Sequence, residues 1–119
     1  MTTRTEYHTD TANEFLSKAH VYLADGDLLQ ASEKGWGATA RMVKAVAEAR
    51  GWRHGTHGDL YRIIDRLANE LSDERLQNLF RSASALHQNF YEGWMFEAGV
   101  ADGLKDVEEI TGRLREVLD

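Results

Sequence analysis

The chain of 119 residues contains no cysteine and no proline, and it has no long run of apolar residues. The absence of cysteine excludes disulfides, thiolate metal sites and cysteine nucleophiles, so nothing in the chain needs an oxidising compartment. The first twenty residues hold no apolar segment of the signal-peptide kind. No later window approaches the roughly 18 uninterrupted apolar residues of a membrane span. We therefore expect a cytoplasmic protein with no membrane association.

Without proline, glycine clusters and capping residues are the main boundary signals, which is typical of helices separated by a few defined turns. Apolar spacing and capping patterns predict five helices, at about 11–24, 28–50, 59–71, 73–92 and 101–118. Thr11 with Glu14 and Thr56 with Asp59 are predicted capping pairs, and Gly51 is predicted to end the second helix. Residues 1–9 are predicted to be a flexible tail, Ser72 to cap the fourth helix, and WMFEAGV at 94–100 to be irregular. The length is that of one domain. The sequence thus predicts a single all-α domain over 1–119, an up-and-down bundle of about five helices.

The charge is unevenly distributed along the chain. With 14 basic and 20 acidic residues the net charge is −6, which argues against broad non-specific binding to nucleic acid. Between Arg41 and Arg66, however, basic residues outnumber acidic ones, whereas acidic residues dominate from Glu97 to Asp119. Any anion is therefore expected to bind near the middle of the chain.

The second predicted helix carries a stripe of small residues beside its apolar face. Ala31, Gly35, Ala38 and Met42 recur at spacings of three and four. Glycine inside a helix costs about 1 kcal/mol relative to alanine, so something is expected to pack closely on this stripe. The partner is either another helix of the same chain or a second copy in a dimer.

Residues 81–93, RSASALHQNFYEG, hold the strongest candidate site. At about 100° per residue, His87 falls inside the apolar stripe of the fourth helix, at its border with a polar strip that ends at Arg81. A core histidine is one interpretation. The other is that His87 and Arg81 are catalytic. A histidine that is partly shielded from water can transfer a proton near neutral pH, and a guanidinium can stabilise phosphate charge.

Arg81 and His87, separated by five residues late in a small all-α bundle, resemble the R-x(4-6)-H motif of the HEPN superfamily of helical ribonuclease and nucleotide-binding domains. Three segments carry a closer resemblance: GDLLQASEKGWG at 26–37, ARGW at 49–52 and LHQNFYE at 86–92. Together they are similar to the archaeal and bacterial paREP-type proteins, an HEPN-like branch.

The resemblance implies an HEPN-like fold whose domains pair, so that two arginine–histidine motifs meet across a dimer cleft. RNA is then cut without metal by its own 2′-hydroxyl. Carried over to this chain, His87 is the general acid or base and Arg81 stabilises the transition state. Four further side chains would bind RNA or orient His87, although helix capping or packing would also explain them: Ser84, Asn89, Tyr91 and Glu92.

Other patterns carry weaker functional signals. His54 and His57 have the spacing of a metal pair, but their glycine-rich loop favours an ordinary surface loop, and we expect no metal and no cofactor. An alternative for His57 is that it contributes to the start of the third helix. Glu33 and Lys34 are interpreted as a solvated face or, alternatively, as a ligand or partner contact. The chain has no Glu-x-x-His pair, P-loop, dinucleotide-binding glycine motif or serine nucleophile elbow.

Two hypotheses follow. The first is a module that binds a nucleotide or a protein partner without catalysis, which the negative charge favours. The alternative is a metal-independent, toxin-like endoribonuclease, which the polar strip favours. We also expect a homodimer, an RNA or nucleotide ligand and, for a two-component system, a small nucleotidyltransferase partner. The dimer expectation rests on the small-residue stripe and on the apolar surface at the end of the fourth helix, where four aromatic residues cluster: Phe90, Tyr91, Trp94 and Phe96.

Overall fold

A computed structural model describes residues 3–119, which form five α-helices and no strand. The helices are α1 (Arg4–Ala24), α2 (Leu28–Arg50), α3 (His57–Leu71), α4 (Arg75–Glu92) and α5 (Glu97–Leu118). Helix α2 lies at the centre and packs against all four others. The predicted all-α bundle of five helices is confirmed. Within residues 3–119, no helix is both long and apolar enough to cross a membrane.

The first helix begins seven residues earlier than predicted, at Arg4 instead of Thr11. Thr3 caps it by accepting a hydrogen bond from the Glu6 amide at 3.0 Å, a second Thr-x-x-Glu pattern that precedes the one at Thr11. Burial of His8 and Ala12 gives this extra turn a packing partner. Residues 4–9 are therefore helical and not a flexible tail; the rest of the predicted tail, residues 1–2, lies outside the described residues.

Three other boundaries also differ. Ser72 ends α3 in a left-handed conformation (φ 51°) and does not cap α4. Helix α3 starts at His57, inside the predicted loop, although the predicted capping pair of Thr56 and Asp59 is present. Helix α5 starts at Glu97, so only residues 94–96 of the predicted irregular segment lie outside a helix. The fully buried side chain of Val100 packs the first turn of α5 against the core.

The core forms where α2, α4 and α5 meet. A Cβ atom placed on Gly35 of α2 would lie 2.5 Å from a methyl carbon of Leu104, and one on Gly103 of α5 would lie 2.7 Å from Leu86. These glycines allow the three helices to approach closely. Ala31, Gly35, Ala38 and Met42 of the small-residue stripe are all buried within the chain. The stripe therefore mediates intramolecular packing, and the dimer interpretation of it is wrong.

Candidate functional site

His87 is held on α4 by a carboxylate from α2. Its Nδ1 atom lies 2.9 Å from Oε1 of Glu33, and the two side chains are 30% and 27% exposed to solvent. The imidazole also stacks on the indole of Trp36 with ring centroids 5.2 Å apart. A carboxylate at Nδ1 fixes the orientation of the ring and leaves Nε2 as the atom available for proton transfer.

A second histidine joins the first on the same indole. His57 occupies the first helical position of α3, where the Thr56 cap sets the start of the helix. Its ring stacks on Trp36 at 4.9 Å and lies 6.0 Å from the ring of His87, nearly parallel to it. Trp36 itself is only 8% exposed, so it is a rigid floor beneath the two imidazoles. We call His57 and His87 the histidine pair.

Two tyrosines border the histidine pair. Tyr61 lies one turn after His57, at 5.4 Å from its ring, and its hydroxyl donates a 2.9 Å hydrogen bond to Ser84 Oγ. Tyr91 lies one turn after His87, at 5.3 Å, and is 74% exposed. Two of the four predicted binding residues, Ser84 and Tyr91, thus lie next to the pair, and Tyr91 offers an accessible ring for stacking.

A shallow cleft opens beside His57, between α2 and the loop before α3. It is lined by Trp36, Ala40 and Lys44 of α2 and by residues 54–57 and Leu60. Lys44 makes no ion pair with any carboxylate in residues 3–119. Its ammonium group is therefore available to an anion that enters the cleft.

Arg81 takes no part in this arrangement. Its guanidinium is exposed and donates a 2.8 Å hydrogen bond to Asn78 on the same helix. The side-chain bond of His87 goes to Glu33 instead. Within residues 3–119, the two residues of the arginine–histidine motif are thus not joined by a hydrogen bond.

The other two predicted binding residues lie near the end of α4. Asn89 is fully buried: its amide donates to Ser32 Oγ at 2.9 Å, and its carbonyl oxygen accepts the Met95 amide at 2.7 Å. It therefore holds the connection from α4 to α5 against α2. Glu92 is exposed and accepts a hydrogen bond from the indole of Trp94 at 3.1 Å.

Comparison with known proteins places the chain in a family. The model of the archaeal PaREP1/PaREP8 family matches residues 7–111. This chain belongs to that family. Its fold is also similar to the crystal structure of a protein from Sulfolobus solfataricus, with a TM-score of 0.79, 23% identity, and coverage of 92% of this chain and 97% of that one. No curated protein matches the chain.

Among residues 3–119 of this PaREP1/PaREP8 family member, one cluster of side chains has metal-ligand chemistry. The candidate ligand atoms of His8, Glu48 and His54 all lie within 4.8 Å of one another, so His54 belongs here while His57 belongs to the histidine pair. Two arginines already contact these side chains: Arg4 lies 3.2 Å from Glu48, and Arg41 lies 3.2 Å from Nδ1 of His8. A metal ion would have to displace both, and the arrangement is better described as an ion-pair network.

The pKa values in this network agree with that description. Burial and the positive charge of Arg41 lower the pKa of His8. The hydrogen bond from His54 lowers the pKa of Glu48, against the opposing effect of burial. The buried imidazole is thus held neutral beside an ionised carboxylate.

Three residues of the site in this PaREP1/PaREP8 family member were not predicted to act together. Glu33 was interpreted as part of a solvated face or a ligand or partner contact, and His57 as part of a surface loop, yet both of them and Trp36 surround His87. Glu33 and Trp36 are three residues apart on α2, so their side chains lie on the same face of that helix. On this face both side chains contact His87 of α4. In the sequence, that spacing is the signal that Glu33 and Trp36 act together.

Proposed function

We propose that this PaREP1/PaREP8 family member is a metal-independent ribonuclease whose acid and base are the histidine pair. The observation that supports this best is the placement of two imidazoles 6.0 Å apart on one indole, with a carboxylate on one of them. Acid–base cleavage of RNA needs a general base and a general acid on either side of the phosphate, and two imidazoles can fill these roles. The resemblance to HEPN domains supports the same reaction.

The contact with Glu33 assigns the role of base to His87. Its Nδ1–H donates a hydrogen bond to Glu33, and its Nε2 takes the proton from the RNA 2′-hydroxyl. The 2′-oxygen then bonds to phosphorus as the bond from phosphorus to the 5′-oxygen breaks. His57 is the acid and gives a proton to that leaving oxygen. The products are a 2′,3′-cyclic phosphate and a 5′-hydroxyl, and no metal or other reactant is needed.

The negative charge that develops on the phosphate needs a cation near the pair. Lys44 lines the cleft beside His57, without a carboxylate partner in residues 3–119, and is suited to this role. Arg81 points elsewhere in its own chain, so it would contribute only from a second copy. The exposed rings of Tyr91, Trp94 and Phe96 offer an apolar surface for such a homodimer.

The hydrogen bond of Arg81 to Asn78 favours a second candidate function. If no partner brings an arginine to the cleft, the same surface would bind a nucleotide or RNA without cutting it. The aromatic rings of Tyr61 and Tyr91 and the charge of Lys44 would be sufficient for binding.

Cleavage of a labelled single-stranded RNA in EDTA tests the proposal. Wild type should release a product ending in a 2′,3′-cyclic phosphate, and His57→Ala and His87→Ala should each lose roughly 100-fold or more of the rate. His20→Ala, which removes an exposed histidine of α1, is the matched control and should cut like wild type. Binding without cleavage by wild type would reject the ribonuclease and support the second candidate.

A further inference from the structure

A second basic concavity lies on the other flank of α3. It is formed where the loop after α2 meets the outer face of α3, and its volume is about 450 Å³. Six residues line it: Trp52, Arg53, Asp59, Arg62, Ile63 and Arg66. We call this the arginine pocket. Arg62 and Arg66 are one turn apart on α3, on the side away from His57 and Tyr61, so the pocket is separate from the histidine pair.

The charges in the arginine pocket are not balanced. Arg62 donates to Asp59 at 3.0 Å. In the part of the chain that the structure describes, neither Arg53 nor Arg66 is paired with a carboxylate. Two of the three guanidiniums therefore form no ion pair within the described residues, although the charge of Arg53 acts on Asp59 and that of Arg66 on Glu70.

The single carboxylate of the pocket is already occupied. One oxygen of Asp59 accepts the Thr56 amide at 3.2 Å and the other accepts Arg62. Burial opposes ionisation of Asp59, but the hydrogen bonds from Thr56 and the charges of Arg53 and Arg62 outweigh it and lower the pKa. Asp59 is thus a fixed part of the capping box, so it holds Arg62 in place and leaves Arg53 and Arg66 to a ligand.

Trp52 gives the pocket a rigid wall. The guanidinium of Arg66 lies over its ring at 4.1 Å, and Arg50, bound to Glu70 at 2.9 Å, approaches the ring at 5.2 Å. Stacking on an indole restricts the guanidinium of Arg66 to one plane while leaving its N–H groups free to donate. A preorganised fork of this kind can donate two parallel hydrogen bonds to a pair of phosphate oxygens.

We infer that the arginine pocket binds a phosphate group, carried either by single-stranded RNA or by a free nucleotide. In a chain of net charge −6, three arginines around a single aspartate form a local basic site that attracts an anion. The binding does not depend on catalysis at the histidine pair, because no residue is shared between the two sites.

The binding test uses the full chain labelled with ¹⁵N, whose three tryptophans give three indole N–H signals. Trp52→Phe identifies the signal of Trp52. The probes are AMP and a 2′-O-methyl oligouridine of eight nucleotides, which the 2′-hydroxyl mechanism cannot cleave. We expect at least one probe to shift the Trp52 signal. Shifts with the oligouridine alone indicate the RNA backbone, and shifts with AMP indicate a nucleotide; no shift with either would overturn the inference.

Charge-matched variants identify the arginines as the cause. The double variant Arg53→Gln/Arg66→Gln should weaken binding about tenfold or more and lower the salt dependence, since each lost phosphate contact removes about 0.7 from the slope on single strands. Lys18→Gln/Lys105→Gln removes the same charge from α1 and α5 and should bind within about twofold of wild type. Equal weakening by both pairs would show a general charge effect and reject the pocket.

Two further variants separate this inference from the proposed function. Arg53→Glu alters an exposed side chain that makes no contact with a carboxylate, so it should fold normally and still weaken binding. His20→Ala, on α1, which contributes no residue to either site, should bind the uncleavable oligouridine as wild type does. If wild type fails to cut RNA but Arg53→Glu still weakens binding, only the ribonuclease proposal is lost. If Arg53→Glu binds as well as wild type, the arginine pocket is rejected even where RNA is cut.

Discussion

Glu33 and His87 are 54 positions apart in the sequence, and their side chains meet at 2.9 Å between α2 and α4. The contact joins the helix at the centre of the bundle to the helix that carries the candidate motif. A carboxylate at Nδ1 stabilises the positive imidazole that forms when Nε2 takes a proton. The finding therefore gives His87 the partner that a general base needs, which Arg81 does not provide.

Glu33→Gln should lower the rate of RNA cleavage by roughly 100-fold. The amide still reaches Nδ1, but it carries no charge to stabilise the protonated ring. Because the hydrogen bond between Glu33 and His87 is partly solvated, the free energy of unfolding should change by no more than about 1 kcal/mol. Single-turnover cleavage and thermal melts measure the two effects. Glu14→Gln, in the exposed pair with Lys18, is the control, and an unchanged rate in Glu33→Gln would remove Glu33 from the mechanism.

Local patterns predicted the helices well because caps and apolar periodicity act within a few residues. The Thr56–Asp59 capping box and the stop at Gly51 are both present in the structure. The start of α1 was misplaced because two Thr-x-x-Glu patterns compete, and only burial of His8 against the bundle decides between them.

The site was predicted in part. The sequence indicated that His87 lies at the border of a buried stripe, and its side chain is indeed about one-third exposed. Its partners Glu33 and His57 come from other helices, and a wheel drawn for one helix contains no information about which residues a neighbouring helix brings to it. Long-range packing alone placed them there.

The close approach of α4 and α5 depends on Gly103. A methyl group at this position would lie 2.7 Å from Cδ2 and 3.0 Å from Cγ of Leu86, which is fully buried and has little room to move. Gly103→Ala should therefore destabilise the protein by about 1–3 kcal/mol, despite the higher helix propensity of alanine. Urea denaturation measures the change.

Gly112→Ala in the same helix is the matched control for Gly103→Ala. A methyl group there meets nothing within 4 Å, so the substitution should stabilise the protein by up to about 1 kcal/mol. If both variants were more stable than wild type, Leu86 would move to accept the methyl group at little cost in free energy.

Asn89 should matter for stability more than for contact with RNA. Asn89→Ala leaves the Met95 amide and Ser32 Oγ without their bonds in a fully buried position, which should cost about 2–4 kcal/mol. Asn78→Ala, on the exposed face of the same helix, should change stability by no more than about 0.5 kcal/mol. Chemical denaturation of both variants tests this. A stable Asn89→Ala that binds RNA poorly would instead favour a binding role.

His8 should make the protein less stable as the pH falls. Its Nδ1 accepts a hydrogen bond from Arg41, which an imidazole protonated on Nδ1 cannot do. Burial and the charge of Arg41 lower the pKa of His8, with smaller effects from His54 and Lys44 in the same direction and from Glu48 against it. The unfolded chain then binds more protons than the folded one between the usual pKa of about 6.5 and the lowered value.

The contribution of neutral His8 to the free energy of unfolding is thus fully present above about pH 6.5. It is lost as the pH falls through the pKa of His8 in the folded protein. His8→Asn, whose amide oxygen can accept the same bond without titrating, should reduce the fall in Tm between pH 7.5 and 5 by a few °C. Ala12→Gly, buried one turn later in α1, should lower Tm while keeping the pH dependence of wild type. Parallel curves for wild type and His8→Asn would mean that the acid sensitivity arises from other histidines, and that Arg41 does not hold His8 neutral.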